Sequence, residues 1–138
     1  MRFLIIVKAT RESEAETSPA PDESLLAAMA DFHEALSKAG ALLDASGLKP
    51  SSGGWRIRYD AKQRTVVDGP FTETKELIAG YTLIQVRSRE EALEWSRRFP
   101  NPNGEGIPAE IEVRQLYEIE DFAPSREIER FKALGLPQ

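Results

Sequence analysis

The order of hydrophobic patterns along the 138-residue chain is the feature that most restricts its fold. Short or alternating apolar runs predict strands, and apolar residues that recur every three or four positions predict helices. The predicted elements are strand, helix, strand, hairpin, strand, helix and strand, at residues 2–9, 22–39, 41–48, 55–67, 77–86, 88–99 and 111–119. This order is that of the split β-α-β unit. It predicts an α+β, ferredoxin-like βαββαβ domain with an inserted hairpin and two helices on one face of an antiparallel sheet.

The ends of this pattern predict the domain boundaries. Residues 1–122 are expected to form the domain, and residues 123–138 a C-terminal tail with a short helix that carries Ile128, Phe131 and Leu134 on one side. The polar residues 10–20 are expected to form a flexible loop. Helices on one face leave the other face of the sheet open, and a large open apolar face is uncommon in monomers, so we expect a homodimer.

Composition and charge exclude several classes of partner. The 23 acidic and 18 basic residues are mixed along the chain and form no basic stripe of the kind that binds nucleic acid. No cysteine is present and His33 is the only histidine, so the usual ligands of zinc and iron are missing. The longest apolar run, residues 3–7, is too short to span a bilayer. We expect a cytoplasmic protein that binds no nucleic acid, membrane, metal or cofactor.

The segment Asp68-Gly69-Pro70-Phe71, called here the DGPF segment, has two interpretations. The structural interpretation is a tight turn, because aspartate and glycine favour turn geometry, proline fixes φ, and Phe71 can anchor the loop in the core. The functional interpretation adds the nearby Glu73, Lys75 and Glu76, since clustered carboxylates and an ammonium can hold a proton donor and an acceptor with separated pKa values. The sequence leaves both open.

Residues 68–81 resemble the signature of the DGPF branch of the YCII-related family. The similarity continues in order at residues 42–52, 92–95 and 110–115. The resemblance implies a dimeric α/β barrel, in a superfamily whose paired sheets often enclose a small-molecule pocket. Some relatives isomerise or cleave small cyclic or aromatic-derived metabolites, and the association of this branch with extracytoplasmic-function sigma factors implies a stress or signalling context.

The candidate catalytic residues are His33, Asp68 and Lys75. Histidine titrates near neutral pH, and Asp44 could orient His33 if the ends of helix and strand meet. A histidine at the edge of a helix is more often a boundary residue without a catalytic role. Some YCII-related proteins carry a first-helix histidine that has been proposed as catalytic, and this resemblance puts that position at Met29, one turn before His33.

The candidate ligand-binding residues include two arginines on one face of a predicted strand, Arg56 and Arg58. Two guanidinium groups could hold an anionic ligand through paired hydrogen bonds, although exposed strand arginines often serve only solubility. The other candidates are Asp44, Phe71, Glu76 and Tyr81.

Three functions remain compatible with the sequence. The favoured one is a regulatory or binding dimer for a small anionic or aromatic-derived metabolite. The alternative is a cofactor-free isomerase, or a lactone-processing lyase or hydrolase, that uses acid-base chemistry at the DGPF segment. The third is an interaction dimer whose C-terminal helix contacts another protein.

Overall fold

The elements predicted from the hydrophobic pattern are present in the computed structural model, which describes residues 1–15 and 22–136. Its strands and helices are β1 (Arg2–Lys8), α1 (Arg11–Glu14), α2 (Glu23–Lys38), β2 (Leu42–Gly47), β3 (Trp55–Asp60), β4 (Gln63–Asp68), β5 (Ile78–Gln85), α3 (Arg89–Arg97), β6 (Ile111–Gln115) and α4 (Arg126–Ala133). Single turns of 3₁₀ helix lie at Ser51–Gly53, Thr74–Glu76 and Ile119–Asp121. None of the helices within the described residues has the length and apolar character needed to cross a membrane.

The strands form two sheets. The larger sheet has the order β2-β5-β1-β6, and each neighbouring pair is antiparallel. The hairpin of β3 and β4 forms a separate two-stranded sheet. This order confirms the predicted ferredoxin-like fold with an inserted hairpin.

The hydrophobic core lies between the larger sheet and helices α2 and α3. Residues directly opposite in an antiparallel pair share a face, so Phe3 and Ile84 point to the same side. They are buried together with Ile5, Phe32, Leu36, Ala41, Val86 and Ala92. Each fully buried large apolar side chain stabilises the fold by roughly 1.5–3 kcal/mol. The alternate β1 residues, Leu4 and Ile6, are only half-buried on the other face.

Two predicted helix boundaries are confirmed by their capping geometry. The Ser88 side chain accepts a hydrogen bond from the Glu91 backbone N–H at 3.1 Å, which satisfies one of the free donors at the start of α3. Gly40 has φ of 71° just after α2, a left-handed conformation that glycine adopts without a steric penalty.

The prediction of a loop at residues 10–20 is wrong for its first part, where the chain forms α1. Thr10 and Ser13 make reciprocal hydrogen bonds: the Thr10 side chain accepts from the Ser13 N–H at 3.1 Å, and the Ser13 side chain accepts from the Thr10 N–H at 2.8 Å. Such reciprocal capping stabilises a helical turn without an apolar pattern. Residues 16–20 of the predicted loop lie outside the described residues.

The last strand is shorter than predicted. Alternation in the sequence continues to residue 119, whereas β6 ends at Gln115. The partner strand β1 begins at Arg2, and the Arg2 carbonyl oxygen accepts its last hydrogen bond from the Leu116 N–H at 2.9 Å. Among the described residues no strand lies beside the later ones, and Tyr117 is 76% exposed.

We predict that Gly69→Ala destabilises the protein. An added Cβ would lie 1.8 Å from the Ser51 backbone oxygen, so the backbone would have to move. The expected loss in the free energy of unfolding is roughly 1–3 kcal/mol, measured by urea denaturation. The control is Gly53→Ala, whose Cβ would meet nothing within 4 Å. Equal losses in the two variants would show that the close approach at Gly69 does not limit stability.

Candidate functional site

The DGPF segment folds back against the 3₁₀ turn at Ser51–Gly53 that precedes the hairpin. The Gly69 N–H donates to the Gly54 carbonyl oxygen at 2.9 Å, and the Gly69–Pro70 peptide bond is cis. Because Gly69 has no side chain, the Ser51 backbone can approach it closely. The end of β4 is therefore held beside the start of β3.

A hydrogen-bond network fixes this arrangement. The Ser51 N–H donates to the two carboxylate oxygens of Glu14 at 3.0 and 3.2 Å, and the Ser51 hydroxyl donates to Glu14 Oε2 at 2.5 Å. The same hydroxyl oxygen accepts from the Phe71 N–H at 3.0 Å. Hydrogen bonds to a carboxylate are stronger than neutral ones. Glu14 therefore ties helix α1 to the DGPF segment through Ser51.

The structural interpretation of the segment placed Phe71 in the core. Phe71 lies outside the core instead and stacks on Arg56. The Arg56 guanidinium carbon lies 3.7 Å from the centroid of the Phe71 ring, within the range of a cation–π contact. Both side chains are half-buried. Phe71 remains outside the core because its N–H is held at Ser51, beside the hairpin rather than beneath the larger sheet.

Arg56 and Phe71 line a pocket of about 210 Å³, called here the DGPF-loop pocket. Its other lining residues are Arg58, Pro70, Thr72, Glu73 and Glu76. Four predicted ligand-binding residues, Arg56, Arg58, Phe71 and Glu76, are therefore brought together. Among the described residues, no ion pair involves Arg56. Stacking thus holds the Arg56 guanidinium group at the pocket. The N–H donors of this group have no carboxylate partner among the described residues.

All three predicted catalytic residues, His33, Asp68 and Lys75, lie outside this pocket lining. Asp68 is exposed and pairs with Trp55 in the β3–β4 ladder. Lys75 is exposed in the 3₁₀ turn Thr74–Glu76. The DGPF segment therefore brings Phe71, rather than Asp68, to the pocket.

His33 lies beneath the larger sheet with both ring nitrogens engaged. Its Nδ1 is 2.7 Å from the Met29 carbonyl oxygen, and its Nε2 is 2.8 Å from the Thr82 hydroxyl oxygen. A carbonyl oxygen can only accept, so Nδ1 donates to Met29, and the Thr82 hydroxyl occupies the other ring nitrogen. Thr82 is only 2% exposed. His33 and Asp68 therefore do not form the hydrogen-bonded pair that acid-base catalysis between them would need.

Asp44 does not orient His33. Its carboxylate accepts from the Tyr81 hydroxyl at 2.9 Å and from the Ala45 N–H at 2.9 Å. Successive residues of a strand point to opposite faces, so Tyr81 and Thr82 lie on opposite sides of β5. Asp44 is on the Tyr81 side and His33 on the Thr82 side.

Charged residues at the edge of the half-exposed sheet face compensate one another. Lys8 Nζ lies 3.2 Å from Glu110 and 3.4 Å from Glu112, and Arg114 lies 3.4 Å from Glu112. Hydrogen bonds from Arg114 and Lys8 lower the pKa of Glu112, and the hydrogen bond to Glu110 raises the pKa of Lys8. These charges are therefore less available to a ligand than that of Arg56.

A larger cleft of about 1210 Å³ lies between the end of β1, the start of α2 and the loop at residues 100–107. Ser13 and Asp22 line it on either side of residues 16–21, which lie outside the described residues. The walls of the DGPF-loop pocket all belong to the described residues. The smaller pocket is therefore the candidate site.

The sequence prediction missed Glu14 and Ser51. They are 37 positions apart, and no motif or periodicity connects residues at that separation. The capping pair Thr10 and Ser13 is the local signal from which α1 could have been predicted.

We predict that Ser51→Ala destabilises the DGPF segment. The substitution leaves the Phe71 N–H without its acceptor and removes the hydroxyl hydrogen bond to Glu14, which costs roughly 1–3 kcal/mol. Urea denaturation would measure the loss, and hydrogen exchange would show faster exchange of the Phe71 amide. The control is Ser52→Ala, because the neighbouring Ser52 is also half-buried. Unchanged Phe71 exchange in Ser51→Ala would contradict the role of this network.

Comparison with known proteins places this arrangement in a family. The family model of the YCII-related domain matches residues 1–117 of the sequence. These residues include the strands of both sheets and the DGPF-loop pocket. An uncharacterized protein of Rhizobium meliloti (strain 1021) is 32% identical over 96 residues, which are 70% of this chain and 77% of that protein. The chain therefore belongs to the YCII-related domain family.

Proposed function

We propose that this protein is a homodimer that binds a small anionic metabolite at the DGPF-loop pocket. The observation that supports the proposal is the state of Arg56, which is half-buried and stacked on Phe71 but has no carboxylate partner in the described part of the chain. Partly removing an unpaired charge from water is unfavourable, and an anion would compensate it. Arg58 can add a second guanidinium on the same face of β3.

The stacking also favours binding by pre-organisation. A guanidinium held by an aromatic ring loses less conformational entropy when it pairs with a carboxylate than a freely rotating one. A hydrogen bond to a charged group contributes roughly 1.5–3 kcal/mol. With two or three such bonds, we expect dissociation constants of roughly millimolar to micromolar for a ligand of this size.

Unpartnered apolar surface supports the homodimer. Leu4, Ile6 and Leu83 are only half-buried on the sheet face away from α2 and α3. On the hairpin, Trp55 is 64% exposed, and Phe131 of α4 is 55% exposed. Large exposed apolar patches usually mark interfaces, and a second copy of the chain could cover the same patch reciprocally.

We also propose a regulatory role for ligand binding. A ligand that binds only the folded dimer stabilises it in proportion to the logarithm of ligand concentration, so the stability of the dimer rises with the ligand concentration. A stress or signalling context is what the resemblance to the DGPF branch implies. Acid-base catalysis has less support, because His33 is engaged with Met29 and Thr82, away from Asp68.

We predict that Arg56→Ala weakens the binding of small carboxylates. Acetate, propionate and butyrate would be titrated while the Phe71 amide is followed by NMR. Loss of a charge-assisted hydrogen bond of roughly 1.5–3 kcal/mol should weaken binding by about ten- to a hundredfold. The control is Arg64→Ala, since Arg64 lies 5.0 Å over the Tyr59 ring on the opposite face of the hairpin. Absence of saturable binding in the native protein, or equal binding in both variants, would overturn the proposal.

We predict that Ile6→Glu dissociates the dimer. The native chain should sediment with twice the 15.4 kDa mass of one chain, and the variant with the mass of one chain, because a buried carboxylate at the interface would be desolvated. The control, Leu93→Glu, alters an exposed apolar residue of α3 and should remain dimeric. Far-UV circular dichroism would verify that both variants fold. A monomeric native chain would contradict the prediction.

A further inference from the structure

The DGPF-loop pocket is lined by charges of both signs that do not neutralise one another. Arg56 and Arg58 contribute two guanidinium groups, and Glu73 and Glu76 contribute two carboxylates. Within residues 1–15 and 22–136, no ion pair with an N–O distance of 4.0 Å or less involves any of these four residues. Opposite charges around one small pocket normally gain by pairing. Here they remain apart.

Local structure keeps the two sets of charges separate. Arg56 is held on the Phe71 ring, 3.7 Å from its centroid. Glu73 and Glu76 belong to the segment after Phe71, where the Glu76 N–H donates to the Glu73 carbonyl oxygen at 3.0 Å and closes the 3₁₀ turn. Different backbone segments therefore present the cations and the carboxylates. A molecule in the pocket would meet guanidinium groups from β3 and carboxylates from the segment after Phe71.

We propose that the ligand is a small zwitterion, with a carboxylate directed to Arg56 and an ammonium group directed to Glu73 and Glu76. This inference rests on the proposed function and specifies the class of ligand. A purely anionic molecule gains from the two guanidinium groups but is opposed by the two carboxylates, and the reverse holds for a purely cationic one. A molecule with both charges gains from both sets of groups.

The pocket volume indicates the size of zwitterion that fits inside it. A water molecule occupies about 30 Å³ in the liquid, so about 210 Å³ accommodates roughly seven non-hydrogen atoms. Phe71 and Pro70 add apolar surface to the pocket lining, which suits a short methylene chain. An aliphatic amino acid with separated ammonium and carboxylate groups, such as 4-aminobutyrate, has this size and charge distribution.

Matched probes separate the contribution of each charge. We would titrate the native protein with 4-aminobutyrate, butyrate and butylamine, and follow the Phe71 and Glu76 amides by NMR. An amino acid series from glycine to 6-aminohexanoate would test the spacing of the charges. We expect 4-aminobutyrate to bind at least about tenfold more tightly than butyrate, since its ammonium adds one charge-assisted contact. Butylamine should bind more weakly than either.

Variants test whether Glu73 and Glu76 recognise the ammonium group. In Glu73→Gln/Glu76→Gln, binding of 4-aminobutyrate should fall to the level of butyrate, while butyrate binds as before or more tightly. The control, Glu90→Gln/Glu127→Gln, removes two exposed carboxylates elsewhere and causes the same change in net charge. It should retain the tenfold preference.

The outcomes distinguish this inference from the proposed function. If butyrate binds as tightly as every amino acid in the series, the zwitterion inference is wrong and the anion-binding proposal stands. If the preference survives in Glu73→Gln/Glu76→Gln, these two residues do not recognise the ammonium group. If neither butyrate nor any amino acid binds saturably, both proposals fail.

Discussion

The strict alternation of side chains along the paired strands β1 and β5 is the constraint on which the rest of the structure depends. It directs Phe3 and Ile84 into the core beneath the helices, and it leaves Leu4 and Ile6 on the other face. The same alternation separates Thr82, which binds His33, from Tyr81, which binds Asp44. One geometric rule therefore creates the core, leaves Leu4 and Ile6 half-buried on the other face, and keeps Asp44 away from His33.

The DGPF segment contributes to the candidate site mainly through its backbone. Gly69 permits the close approach of Ser51, and the network from Glu14 through Ser51 to Phe71 fixes the loop. The loop then presents an aromatic ring on which Arg56 stacks. The structural and functional interpretations of the segment are thus connected, because the turn that Asp68 and Gly69 favour is also what positions the wall of the pocket.

Much of the fold could be predicted, because it follows from short-range patterns. The two core helices and their caps at Ser88 and Gly40 were recognised from local residue types. Helix α1 was missed because it depends on a capping pair rather than on an apolar stripe. The last strand was predicted too long, because its end depends on where β1 begins. Strand length is a property of the partner as well as of the strand.

The sequence alone determined the family, the order of elements, and the placement of Arg56 and Arg58 on one side of β3. Each of these follows from residue type or from a period of two or about 3.6 residues. Only the tertiary structure decided that Phe71 meets Arg56, that Glu14 reaches Ser51, and that His33 pairs with Thr82. Those contacts join separate segments of the chain, and the distance between residues in space is set by packing rather than by their spacing in sequence.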